Sequence, residues 1–199
     1  MSVRVDTPTT LPVYVRGPKS VVWWGMIGLL AIEIVVFSGL IAMYFWLRLQ
    51  NPSWPPEGIA TKGLLIPTIN TLVLIASAAA MVTAKRAIER GDQRVLKLGQ
   101  MVALSLGAVF LVLKVVEYSG YDYDWTTHAY GSVTWTMTGV HTAHVISVLT
   151  KGLVVLAMSL RGMFRADRHL AFEVSTLYWV FVVVIWLPLY FTMYISPRL

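Results

Sequence analysis

The chain has 199 residues, 57% of them hydrophobic and only 13% charged, with a mean hydropathy of +0.68 and a net charge of +6. Soluble domains carry about 25% charged residues, so this composition excludes a water-clad globule and points to a single membrane domain. With no cysteine, disulfide scaffolds, thiolate nucleophiles, iron–sulfur clusters and cysteine-based zinc sites are excluded as well.

Residues 1–19 are polar and carry Pro8, Pro12 and Pro18, which predicts an irregular arm and not a long helix. The arm lacks the pattern of a cleaved signal peptide. The remainder, 20–199, reads as one membrane domain. A bilayer-spanning helix needs about 20 apolar residues, and five runs qualify or can be extended to do so. The first, Val21–Leu47, contains one ionisable residue, Glu33; the second, Gly63–Ala84, contains none. The third, Leu98–Leu113, lies between Lys97 and Lys114 and extends through Val116; the fourth, Ala129–Leu160, holds His141, His144 and Lys151. The fifth, Val174–Pro197, is uncharged with Pro188 inside it. The fold expected is all-α, a polytopic bundle of five helices near 20–49, 63–88, 94–118, 129–161 and 170–196. No polar stripe runs along these segments, as it would on amphipathic soluble helices.

Charge sorts by connection. The arm, the second connection and the fourth hold 11 of the 16 basic residues, and five spans put all three on one side. The positive-inside rule then predicts a cytoplasmic N-terminus and an external C-terminus. The net charge is thus read as orientation, and no nucleic-acid partner is expected. Of the two outer connections, 51–58 reads as a rigid Pro-rich turn with an interfacial Trp54, and 118–130 as an aromatic loop facing a partner or the headgroups.

Few side chains can carry chemistry. Helical rise puts Glu33 and His141 each about 18 Å from the end of its run, near mid-membrane. A carboxyl at that depth must face the bundle and find a partner, and His141 or His144 is the expected one. Such a pair suits a proton-handling or lipid-organising site, and equally a hydrogen bond that joins two helices. His141 and His144, at i and i+3, share a helix face. That spacing occurs in metal sites, but no second His pair or Glu-x-x-His completes a ligand set. Lys151 with Glu173, and Lys114 with Glu117, are expected as anchoring ion pairs. Asn70 and Thr71, with Gly25, Gly28 and Gly39, suit close interhelical packing.

A family resemblance rests on several signatures in order. They are Gly25-Met26 followed by Glu33 and Tyr44-Phe45; Trp54-Pro55-Pro56-Glu57-Gly58-Ile59; Pro67-x-x-Asn70-Thr71; and Glu117-Tyr118. Tyr130-Gly131-Ser132 then leads to Thr138-Gly139-Val140-His141-x-x-His144-Val145, the most specific match. Phe172-Glu173, Tyr178-Trp179-x-Phe181-Val182 and Trp186 complete the set. Over about 175 residues the chain resembles subunit III of the haem-copper terminal oxidases, in its five-helix form. Two departures stand out. Val180 and Val183 replace the histidine and aspartate usual in the last helix, and the longer form's two additional N-terminal helices, which complete a lipid-filled cleft, have no counterpart. Both point to a divergent bacterial branch.

The resemblance implies a non-catalytic subunit of a cytochrome c or quinol oxidase in the bacterial inner membrane. It would bind no cofactor itself, since haems and copper belong to partner subunits, and it would hold phospholipids. Its partners would be the catalytic haem-copper subunit I, the other oxidase subunits and membrane lipids. Its role would be to support stability, lipid and oxygen access, and proton uptake. By position, Glu33 matches the family's buried carboxylate, His141 and Glu173 match polar positions in its bundle, and Arg161 matches an arginine that holds a lipid phosphate. Two alternatives remain. One is an accessory subunit of a nitric oxide reductase; the other, of a different class, is a small proton-coupled transporter using Glu33, although no Gly/Pro-broken helix pair marks a transport site.

Overall fold

The computed structural model describes residues 17–59, 63–166 and 168–199. Most of the arm, and Lys62 in the first outer connection, lie outside the described residues. Five helices long and apolar enough to cross a membrane account for most of the rest: α1 (Val21–Gln50), α2 (Leu65–Glu89), α3 (Gln93–Ser119), α4 (Ala129–Leu160) and α5 (Leu170–Tyr190). Among the described residues there is no strand beyond one isolated bridge between Arg165 and Arg168. The architecture is the all-α bundle expected from the sequence.

Local chemistry starts and stops these helices. Asp92 caps α3, its Oδ1 accepting from the N–H groups of Arg94 and Val95 at 3.0 and 3.1 Å. His128 caps α4, its Nδ1 accepting from the Gly131 N–H at 2.7 Å. α2 ends in a Schellman turn, with Asp92 N–H donating to the Ala87 carbonyl and Gly91 N–H to that of Ile88. α4 ends in the same way, with Met163 donating to Met158 and Gly162 to Ser159. Both stops need a residue at positive φ, and Gly91 (78°) and Gly162 (69°) supply it without the strain a Cβ would add. The two turns lie at one end of the bundle, which carries most of the basic residues and is here named the basic end. The opposite end gathers Trp54 and most of the tyrosines.

The core forms where small residues let helices approach. α3 meets α2 at Gly99, where an added Cβ would stand 3.0 Å from the Ala80 carbonyl oxygen. α3 and α4 interlock at Gly107, which faces Leu149, and Gly152, which faces Leu104. The Trp179 ring of α5 covers both glycines and donates its Nε1–H to Ser77 Oγ of α2 at 3.1 Å. One indole thereby packs four helices together and satisfies its own polar atom. Nearer the other end, Trp186 does the same with Thr71 Oγ1 at 2.9 Å, and Asn70 donates to the Phe110 carbonyl at 3.3 Å. Asn70 and Thr71 are thus interhelical bonds, as expected. Gly25, Gly28 and Gly39 are not packing glycines: nothing lies within 4 Å of a Cβ built on any of them. They lie on α1, whose only buried residues are Phe37 and Tyr44. A spacing of small residues cannot say which face of a helix has a neighbour.

α5 does not end at Pro188. It continues as a π turn (Phe191–Ile195) and a 3-10 turn (Ser196–Arg198), with Thr192 Oγ1 donating to the Pro188 carbonyl at 2.8 Å.

Candidate functional site

Glu33 and His144 are brought together from α1 and α4, with Oε2 and Nε2 2.8 Å apart. Their side chains retain 20% and 17% exposure, so the pair sits at a helix seam, not in the core. His144 Nδ1 lies 2.7 Å from the Val140 carbonyl, which can only accept, so Nδ1 carries a hydrogen. The contact between Nε2 and Oε2 then needs one proton, on either the imidazole or the carboxyl. The pair is a single-proton unit held between two helices, and Phe37 packs edge-on to His144 at 5.1 Å.

His141, the other expected partner, does not reach Glu33. Its Nε2–H donates to the Val182 carbonyl of α5 at 3.0 Å, with the residue fully buried. It is enclosed by Phe37, Phe110 and Trp186, the last at 4.7 Å between ring centroids. Both histidines border Phe37, as i and i+3 spacing requires, yet one points to α1 and the other to α5. Among the described residues no three His, Asp or Glu side chains form a metal-binding group.

The expected Lys151–Glu173 ion pair is absent. Lys151 Nζ lies 4.2 Å over the Tyr178 ring, a cation–π contact. Glu173, half-buried in the first turn of α5, lies beside Gly17. The two residues start from different helices, and their order along the chain carried no information on rotation about the axes. Arg161 is exposed where α4 ends.

Lys114 and Glu117 do pair, at 2.9 Å, and are more deeply buried than anchors need be, with 1% and 7% exposure. Lys114 also donates to the Tyr194 hydroxyl at 2.9 Å and lies 4.4 Å over the Trp186 ring. Glu117 accepts from Tyr121 at 2.9 Å and from Tyr194. A buried pair needs its remaining valences met in this way. The sequence showed the pair from its i, i+3 spacing. Tyr194 joins it from 80 residues away, and no local pattern announced that.

The loop before α4 folds onto the bundle. Tyr121 and Tyr123 stack at 5.4 Å, and Tyr123 packs on Tyr130. Burial pushes the Tyr123 phenol up to about 12, and burial together with the Glu117 charge raises that of Tyr121. Asp124 is held below the usual carboxylate range by the Thr126 hydroxyl and N–H and the Thr127 hydroxyl. Trp125 alone of these rings stays largely exposed. Trp54 is half-buried between Tyr44 and Tyr130.

Comparison with known proteins identifies a family. A profile of the family described as cytochrome c oxidase subunit III matches residues 15–197. The chain is 36% identical over 175 residues to cytochrome c oxidase subunit 3 of Thermostichus vulcanus, covering 87% of each protein. It is 32% identical to that of Synechocystis, over 86% of this chain and 74% of the relative. Against the Equus caballus protein it is 33% identical, over 86% of this chain and 68% of the relative.

Proposed function

The chain belongs to the cytochrome c oxidase subunit III family and so to a multi-subunit respiratory oxidase, and from that premise we propose that its Glu33–His144 pair buffers a proton beside the catalytic subunit. The observation that carries this reading is the single-proton contact of 2.8 Å at the seam of α1 and α4. A unit that exchanges one proton and keeps partial exposure can give and take it without unfolding. A purely structural bond gains nothing from that exposure.

In this reading the subunit flanks catalytic subunit I, which with its companions holds the haems and copper. It shields the route by which oxygen and lipid reach the catalytic subunit. The partly bare α1 and the exposed Arg161 support this role, one offering an apolar face and the other a charge for a lipid phosphate. The excess of basic residues at one end supports a cytoplasmic N-terminus, in a bacterial inner membrane. Either cytochrome c or a quinol would serve as donor. Nothing in the site favours a nitric oxide reductase or a free-standing transporter.

The test is Glu33→Gln in the assembled oxidase. Steady turnover should fall, and activity should decay faster during turnover. Unchanged turnover and lifetime would make the pair a structural bond only.

A further inference from the structure

The α2–α3 hairpin holds a second feature, apart from the Glu33 seam and from Arg161. At its basic end a recess of about 240 Å³ is lined by Thr83, Arg86, Ala87, Arg90, Asp92 and Val95. Arg86 and Arg90, one helical turn apart, are both exposed and face the same way. Among the described residues, neither has a carboxylate in ion-pair range; the nearby Lys85 pairs with Glu89. Asp92 also borders the recess, its Oδ1 accepting from the N–H groups of Arg94 and Val95, and its one negative charge leaves the two arginines with a net positive one.

By helical spacing Thr83, Ala79, Ala76 and Leu72 share one side of α2, and Val95 and Val102 one side of α3. All are exposed, so the recess continues along the hairpin as a furrow between them. Between them Gly99 sits against Ala80 and Ala84, so the helices touch and the small side chains leave a shallow channel. From Thr83 to Leu72 it extends about 16 Å along the helix axis.

We propose that this furrow binds an anionic phospholipid, with its phosphate held between Arg86 and Arg90 and one acyl chain laid along the small-residue channel. Guanidinium groups bind phosphate oxygens through paired N–H donors, and this pair brings two positive charges against the single carboxylate of Asp92 at the recess. A free phosphate could use the arginines but not the furrow. A zwitterionic lipid would bring a cation against the same two guanidinium groups. The proposal requires only that the basic end meet a headgroup layer, and so it stands whether or not the Glu33 reading holds.

The test uses the full chain in nanodiscs of matched-chain phosphatidylglycerol and phosphatidylcholine, with retained lipid counted by native mass spectrometry. Wild type should retain phosphatidylglycerol in preference. R86Q/R90Q should lower its retention at least fivefold, and R86K/R90K should restore part of it. A79F, which fills the furrow and leaves the arginines, should lower it too. R94Q/K97Q, an equal loss of charge outside the recess, should not. Wild-type retention in R86Q/R90Q or in A79F would overturn the proposal. Equal retention of phosphatidylcholine, or displacement by equimolar inorganic phosphate, would also overturn it.

Discussion

Lys114 donates to the Tyr194 hydroxyl at 2.9 Å across 80 residues of sequence, tying the last turns of α3 to the π turn that extends α5. Tyr194 in turn donates to Glu117, so three residues share one buried charge pair. Removing Lys114 alone leaves Glu117 as an uncompensated buried carboxylate, which costs about 3–5 kcal/mol. Lys114→Met should therefore unfold well below wild type, and Lys114→Met/Glu117→Leu should recover much of the loss. Thermal unfolding in a single detergent, run as a double-mutant cycle, checks this. Equal destabilisation of the single and double variants would contradict it.

The Glu33–His144 contact predicts an asymmetry between its two truncations. Glu33→Gln keeps a hydrogen-bonding group facing His144, whereas His144→Ala strands a carboxyl within the membrane span. His144→Ala should be the more destabilising of the two, by at least about 1 kcal/mol, the size of one hydrogen bond. The same melting assay ranks them, and the reverse order would refute the single-proton description.

Glycines on the two sides of the bundle should respond in opposite ways. An added Cβ at Gly152 would stand 2.8 Å from Leu104 and 3.0 Å from Trp179, so Gly152→Ala should cost about 1–3 kcal/mol of overpacking. Gly28 has open space around it, so Gly28→Ala should be neutral or stabilising by up to about 1 kcal/mol through helix propensity. Melting temperatures of the two variants, measured side by side, decide the matter.

The loop before α4 sets a pH window at each extreme. Its phenols are raised when folded, Tyr123 to about 12, while an unfolded tyrosine ionises near pH 10. Their contribution is whole below pH 10 and falls as pH rises through the folded value. Asp124 is lowered, so its contribution is whole above the ordinary carboxylate range and is lost as pH falls through the folded value. Stability should thus decline above about pH 10, and again in acid below the usual aspartate range near 3.9. Tyr123→Phe should blunt the alkaline limb and Asp124→Asn the acid limb, as read by unfolding across pH.

What the sequence disclosed and withheld divides along a physical line. The five spans were legible because each is a long apolar run, and the bilayer permits few other solutions for such a run. Glu33 was legible as a residue that must find a partner, and Lys114–Glu117 as a pair on one helix. The choice of His144 over His141 was not, because the two lie only about 60° apart on one helix face and the neighbouring helices decide which one each meets. The same missing information on rotation put the packing glycines on α1, when they lie at Gly99, Gly107 and Gly152, and joined Lys151 to Glu173, when Lys151 lies over the Tyr178 ring. The Schellman turns could have been anticipated from Gly91 and Gly162, each just past a helix end.

The π turn at Phe191–Ile195 has a consequence for everything downstream. Such a turn houses an extra residue, which sets the side chains beyond it back by about 100° relative to an unbroken α-helix of the same sequence. Tyr194, which meets Lys114, and Ser196, whose carbonyl and hydroxyl accept from Arg48 at 3.0 and 2.7 Å, lie within or just after it. The turn therefore works as a vernier, setting the angular register of the chain's last residues so that α5 latches onto α3 and α1 at once. Forcing the turn into regular α-helix with no residue removed would swing both latches out of line, whereas deleting one residue there would straighten the helix and leave them pointing as they do.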